Sequence, residues 1–196
     1  MPARLDDRTS TSGASLDGSA FFSAPAERLA LVDPDDTDAA EGFSPADDLP
    51  LIRWLQDHVE GIVTVAEAPG YDYTWRSRIS AFTGLPTVIG WLYHETQQRR
   101  NYGAVVDDRE VAMNDLYASA SSRRIHEVLQ RFDIRYVVFG TVERVIAGER
   151  GRAALLASPC LRVEVEHDDL FVAAVDQTCV AEQRGSLPVW SGLTAS

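Results

Sequence analysis

Ile134-Arg135-Tyr136-Val137-Val138-Phe139-Gly140-Thr141-Val142-Glu143-Arg144 is the stretch that decides the fold of this chain. Its first six residues are almost all β-branched or aromatic, with a glycine behind them, which predicts a buried strand over 134–139. Upstream, Ile125, Val128, Leu129 and Phe132 recur at offsets 0, 3, 4 and 7, the period of a helix starting near 122. A further helix is predicted over 108–117. Downstream, 142–157 reads as a helix or a pair of turns. Leu161-Arg162-Val163-Glu164-Val165-Glu166 alternates as a half-exposed strand, and His167-Asp168-Asp169 turns it into the apolar run 170–175, a hairpin at the sheet edge. Further upstream, Ile62-Val63-Thr64-Val65-Ala66 reads as a short buried strand. Before it, Asp48 and Pro50 open a helix whose face is Leu51, Ile52, Leu55 and Val59, with Gly61 as its stop. The order predicts an α/β fold: a small mixed sheet of about four strands, 62–66 parallel to 134–139, with flanking helices and a terminal hairpin.

The chain has 196 residues, 30 acidic and 18 basic, and every basic residue is arginine, giving a net charge of −12. Such a balance argues against general nucleic-acid binding, which needs cations to neutralise phosphates, and against attachment to anionic lipid. The longest apolar run, 170–175, is far short of the roughly 20 residues of a spanning helix. No apolar stretch of the signal-peptide kind follows Met1. Residues 1–60 carry 13 acids against 4 arginines, so most of the negative charge lies there. Three regions follow: an irregular acidic arm over 1–46, an α/β domain over 47–176 and a loose tail over 177–196. Two cysteines are too few for a disulfide framework and lack metal-ligand spacing. A bridge between Cys160 and Cys179 stays open, although the expected placement of one at a strand and the other in a tail speaks against it.

The segment 67–103 has weak periodicity and many aromatic and glycine residues, and long segments of this kind tend to be functional. Within it, residues 71–100 are locally basic, with four arginines against two acids. Arg76, Arg78, Arg99 and Arg100 could form a fork for phosphate or carboxylate. Tyr71, Tyr73, Trp75, Trp91 and Tyr93 could supply flat surfaces with polar tips. The plainer alternative is that the arginines pair with acids of the arm while the aromatics fill core. His94-Glu95 is the one adjacent pair with acid–base potential, although neighbours on a helix do not face each other, and a structural role is the expected one. His58, His126 and His167 read as solvated. Gly140-Thr141 could place a helix N-terminus near an anion, while Glu143 and Arg144 cap and pair locally. There is no G-x-G-x-x-G, Walker A loop or G-x-S-x-G elbow.

Arg78-Ile79-Ser80-Ala81-Phe82-Thr83-Gly84-Leu85-Pro86-Thr87-Val88-Ile89-Gly90-Trp91, followed by His94-Glu95 and Gln98-Arg99, resembles the YYY-type family of uncharacterised multi-pass membrane proteins of green non-sulfur bacteria and archaea. The matching region follows that family's last membrane helices. Leu16-Asp17-Gly18 with Phe21-Phe22, Ile52-Arg53-Trp54-Leu55, Glu67-Ala68, Asn114-Asp115-Leu116-Tyr117 and Arg135-Tyr136-Val137-Val138 with Gly140 and Glu143-Arg144 agree with it in order, over about residues 3–175. One departure is Gln98, where the family's G-W-x-x-H-E/Q-x-Q-W-R run usually has tryptophan.

That family resembles integral-membrane glycosyltransferases that use polyprenyl-phosphate sugars and end in a soluble extracytoplasmic α/β domain. The resemblance implies that this chain is that domain, with the membrane helix bundle as its partner and a lipid-linked sugar phosphate as a ligand. The catalytic carboxylate of such enzymes lies among the membrane helices, so no catalytic residue, metal or cofactor is expected here. The expected contacts are Arg78, Arg99 and Arg100 to anionic groups, Thr83, Gly84, Pro86 and Trp91 to the ligand, and His94 and Glu95 ordering the loop. The competing expectation is a non-catalytic interaction domain whose 71–100 segment docks on the protein's own membrane helices.

Overall fold

A computed structural model describes residues 45–70, 75–99 and 101–185. Residues 1–44 of the 1–46 arm, with its Leu16-Asp17-Gly18 and Phe21-Phe22 landmarks, residues 71–74 with Tyr71 and Tyr73, Arg100 and the stretch 186–196 lie outside the described residues. The architecture is mixed α/β. A 3-10 turn, Pro45–Asp48, leads into α1 (Leu49–His58), β1 (Thr64–Ala66), α2 (Arg78–Thr83) and α3 (Leu92–Gln98). Then come α4 (Gly103–Ala118), α5 (Ser122–Arg131), β2 (Ile134–Phe139), α6 (Thr141–Leu156), β3 (Leu161–His167), β4 (Leu170–Val175) and α7 (Gln177–Gly185). Among the described residues no helix is long and apolar enough to cross a membrane.

The four strands run in the order β1-β2-β4-β3. β1 is parallel to β2, with Val65 opposite Tyr136, and β4 is antiparallel to both β2 and β3. As the hairpin arrangement predicts, β3 takes the edge, while β4 is central and buried, with Phe171 stacked on Phe139 at 5.2 Å. α1 buries Leu51, Ile52 and Leu55, the predicted face. It packs towards β3 and β4, with Trp54 edge-on to Tyr136. α4 packs on α5 and α6, and its buried Tyr117 donates its hydroxyl to Val138 O at 2.8 Å, tying the helical layer to the sheet.

Several boundaries differ from the sequence reading. The first strand is only Thr64–Ala66, because Ile62 is 90% exposed and has no neighbour to bury it. α4 begins five residues before the predicted start, and of the two alternatives for 142–157, helix or pair of turns, the structure takes the helix, Thr141–Leu156, interrupted at Gly148, whose φ of +57° breaks the ladder. His126 is buried, not solvated: its Nε2 lies 2.9 Å from Ser158 Oγ, and burial lowers its pKa. The tail is not loose over its first part. α7 packs on α5, buries Val180 and donates Gln177 Nε2 to Ile134 O. Cys160 and Cys179 are joined in a disulfide, so the tail helix is covalently held to the start of β3. Strand and tail meet because β4 returns the chain to the side where β3 began.

Candidate functional site

The carboxyl ends of the parallel strands β1 and β2 lie side by side, the place where open α/β sheets usually receive ligands. Here that place is filled from within. β1 runs into Glu67 and β2 into Gly140-Thr141, and between them lies the fully buried guanidinium of Arg78. Arg78 donates Nε to Asp48 Oδ2 at 2.5 Å and Nη2 to Glu143 Oε2 at 2.6 Å, and Glu67 stands 3.9 Å away.

Each carboxylate also satisfies backbone. Asp48 accepts Thr141 N at 2.9 Å, the Thr141 hydroxyl at 2.5 Å and Trp75 Nε1 at 2.9 Å. Glu143 accepts Ala68 N and Gly140 N. Glu67 accepts Ile79 N and Ser80 N, capping α2. Burial pushes the Asp48 carboxyl up, but Arg78 and the Thr141 hydrogen bonds outweigh it and hold the group below its ordinary range. For Glu67 burial wins over the same cation, and its pKa is raised. Burial alone would lower Arg78; Asp48 and Glu143 hold it well above its usual value.

Two sequence expectations are corrected by this cluster. Asp48 does not cap α1 with its side chain; its carboxylate is the anion received by Thr141 at the start of α6. Arg78 does not face a ligand. With its guanidinium fully buried and committed to Asp48 and Glu143, it has no surface for an external phosphate. Its pairing partners are core carboxylates at positions 48, 67 and 143, none of them in the 1–46 arm that the plainer reading of the arginines invoked. The arginine fork is not assembled among the described residues. Arg76 donates to Pro69 O, and the half-exposed Arg99 pairs with Glu95 at 2.8 Å.

Above the cluster the chain builds a surface cleft. Ser77, in a left-handed conformation at φ +65°, opens α2. Thr83 closes it by donating its hydroxyl to Ile79 O and accepting Leu85 N, and Gly84 supplies the left-handed cap at φ +74°. The strand-like stretch that follows runs along the open edge of β1: Val65 N donates to Pro86 O at 2.9 Å, and Val65 pairs with Thr87. A second bridge, Gly70 with Trp91, fixes the start of α3. Trp91 donates its indole N–H to Arg76 O at 2.8 Å and meets the His94 ring edge-on at 5.5 Å.

The resulting cleft of about 280 Å³ is lined by Ser77, Ser80 and Ala81 of α2 and its cap, by Thr87 and Gly90, and by Trp91, His94, Glu95 and Gln98 at the start and on the inner face of α3. Of the sequence-nominated residues, Trp91, His94 and Glu95 therefore meet at one site. Thr83, Gly84 and Pro86 shape the loop that carries it but do not line it. His94 and Glu95 share a helix face with Trp91 and Gln98, since offsets 0, 3, 4 and 7 from Trp91 form one stripe. Ser77, Ser80 and Ala81 repeat the same offsets on α2. These spacings are the available signal for Ser77, Ser80 and Gln98 as lining groups, whereas Thr87 leaves no trace in them.

A second cleft, of about 370 Å³, lies at the opposite ends of the same strands, among Val63, Asp133, Arg135, Tyr136 and Val175, with the exposed Ile62 at its rim. Among the described residues its titratable lining groups are the Asp133–Arg135 pair at 3.2 Å and the Tyr136 phenol. Among the described residues no group of three or more His, Cys, Asp or Glu side chains is arranged to hold a metal ion. No protein-family model, no curated protein and no solved structure matches this chain significantly.

Proposed function

We propose that this chain is the extracytoplasmic domain of a membrane glycosyltransferase-like protein, and that its 71–100 segment helps to hold a polyprenyl-phosphate sugar or its acceptor. The observation that carries this reading is the cleft. The segment whose sequence resembles the YYY-type family is also the one that folds into a cavity of convergent polar groups beside a tryptophan. A second observation supports the compartment: a disulfide between Cys160 and Cys179 is expected of a domain in an oxidising environment. The role is one of binding, since the buried Arg78 cluster offers no exposed nucleophile or base and the transferase carboxylate would belong to the membrane bundle.

The test uses the full-length protein with its membrane helices, reconstituted with a polyprenyl-phosphate sugar. Glu95→Gln and His94→Ala are expected to lower transfer at least tenfold with the fold retained. Unchanged transfer, or a genomic sequence upstream of Met1 encoding no hydrophobic helices, would end this reading. The exposure of Tyr93, Tyr102 and Val105 on α3 and at the start of α4 favours the alternative of a docking face for the protein's own membrane helices. In that case Tyr93→Ser would impair assembly with the bundle while the cleft substitutions would not.

A further inference from the structure

We infer that the cleft between α2 and α3 takes an uncharged sugar ring and leaves the phosphate of a lipid-linked donor to be bound elsewhere. This rests on the reading of the 71–100 segment as a ligand site and specifies the part of the ligand that it recognises. Among the described residues no arginine lines the cleft; its acidic and basic lining groups are Glu95, paired at its outer end with Arg99, and the imidazole of His94. A phosphate placed there would face the Glu95 carboxylate with no arginine in the lining to neutralise it, an arrangement that costs free energy on desolvation. A sugar hydroxyl instead donates to Glu95 and both donates to and accepts from the Gln98 amide.

The walls carry a second sign of a missing polar partner. Ser77 Oγ and Thr87 Oγ1 are buried and make no hydrogen bond among the described residues, although both residues line the cleft. Buried hydroxyls are ordinarily satisfied, so a pair of orphans beside one cavity points to hydroxyl-bearing ligand groups reaching them after a small side-chain adjustment. Trp91 is half-buried with its N–H already committed to Arg76 O, which leaves the ring to act by apolar contact, as a C–H face of a sugar requires. The volume also fits. Pockets that hold drug-sized ligands measure roughly 300–1,000 Å³, so a cleft of about 280 Å³, just below that range, suits a single ring. Gly90 stands at its back, where an added Cβ would sit 3.0 Å from Ser77 Oγ.

The test is a titration of the whole 196-residue chain, followed by nitrogen-edited NMR, with a panel of methyl glycosides and with inorganic phosphate at matched concentration and ionic strength. At least one glycoside is expected to shift the Trp91 indole and Gln98 amide signals saturably, while phosphate leaves them in place. Gln98→Ala and Glu95→Gln, both on an exposed helix, should weaken that binding by roughly five- to tenfold each, the loss of one hydrogen bond. Phosphate binding without glycoside binding, no saturable glycoside in the panel, or glycoside shifts indifferent to both substitutions would each overturn the inference. The outcome is separable from that of the transferase reading. Glycoside binding in the cleft combined with full-length transfer indifferent to Glu95→Gln removes the transferase role and keeps the ligand class. Transfer dependent on Glu95 with no glycoside binding does the reverse.

Discussion

Arg78 and Asp48 form a fully buried ion pair at 2.5 Å across thirty positions of sequence, and through it the turn before α1 is held to the first residue of α2. The same guanidinium reaches Glu143 at 2.6 Å, so one side chain joins three elements at the carboxyl ends of the parallel strands. Removing only the cation leaves two or more carboxylates buried without it, a change that costs about 3–5 kcal/mol. Arg78→Met should therefore lower the unfolding free energy by that order in urea titrations. Arg78→Lys should recover little, because one ammonium cannot fork between Asp48 and Glu143. Loss of ligand binding with stability intact would show instead that Arg78 serves an external anion.

The acid limb of stability should carry the signature of the same cluster. Asp48 titrates below its ordinary 3.8 in the folded protein. Its contribution is thus present above 3.8 and lost as pH falls through the lower folded value. Asp48→Asn is expected to destabilise by about 1–3 kcal/mol, through hydrogen bonds left unmade, and to flatten this part of the acid limb. Glu67 has the opposite sign. Its folded pKa lies above 4.5, so its contribution is full below 4.5 and declines as pH rises through the folded value. The destabilisation caused by Glu67→Gln should accordingly be larger below pH 4.5 than at neutral pH. Urea midpoints measured across pH for both variants check the two signs together.

Periodicity made much of this fold legible. The 134–139 and 170–175 strands follow from continuous β-branched, aromatic or apolar runs, 161–166 from alternation, the α1 face from spacings of three and four, and the parallel pairing from the order of the elements. What escaped that reading depends on long-range partners. Asp48 has the sequence setting of a helix cap, yet a cation thirty residues away takes its carboxylate, and no local pattern announces that exchange. Arg78 looked like a ligand contact because it sits in a locally basic segment, whereas the carboxylates that bury it come from positions 48, 67 and 143. The cleft was partly visible: Trp91, His94, Glu95 and Gln98 fall on one helical stripe, but the opposing wall depends on how the loop folds along β1.

The disulfide gives a further expectation. It closes a separation of 19 residues between the start of β3 and α7. A loop of about this size is stabilised by roughly 3 kcal/mol in the chain-entropy account. Reduction, or Cys179→Ala paired with Cys160→Ala, should lower the thermal midpoint by several degrees, since 1 kcal/mol is worth about 2–4 °C in a domain of this size. Amide exchange should rise first in α7, whose Val180 is the buried anchor on α5. Equal protection of α7 in the oxidised and reduced protein would mean that packing alone holds the helix.

Gly151 tests packing against helix propensity. It lies inside α6, where replacing glycine by alanine ordinarily gains about 1 kcal/mol. At this position, however, an added Cβ would fall 2.2 Å from the carbonyl oxygen of Tyr117 and 2.5 Å from Ala147 Cβ. The first of these is backbone at the end of α4, so relief requires the two helices to separate rather than a side chain to turn. Overpacking of this kind costs about 1–3 kcal/mol, which exceeds the propensity gain. Gly151→Ala is therefore expected to be net destabilising, and to weaken the Tyr117 hydroxyl bond to Val138 O that ties α4 to β2. Chemical denaturation of Gly151→Ala beside the double variant Gly151→Ala/Tyr117→Phe separates the two contributions. If the crossing of α4 and α6 transmits the strain to Tyr117, the second substitution costs less in the alanine background than in the wild type. A more stable Gly151→Ala protein would show that the helices part without cost.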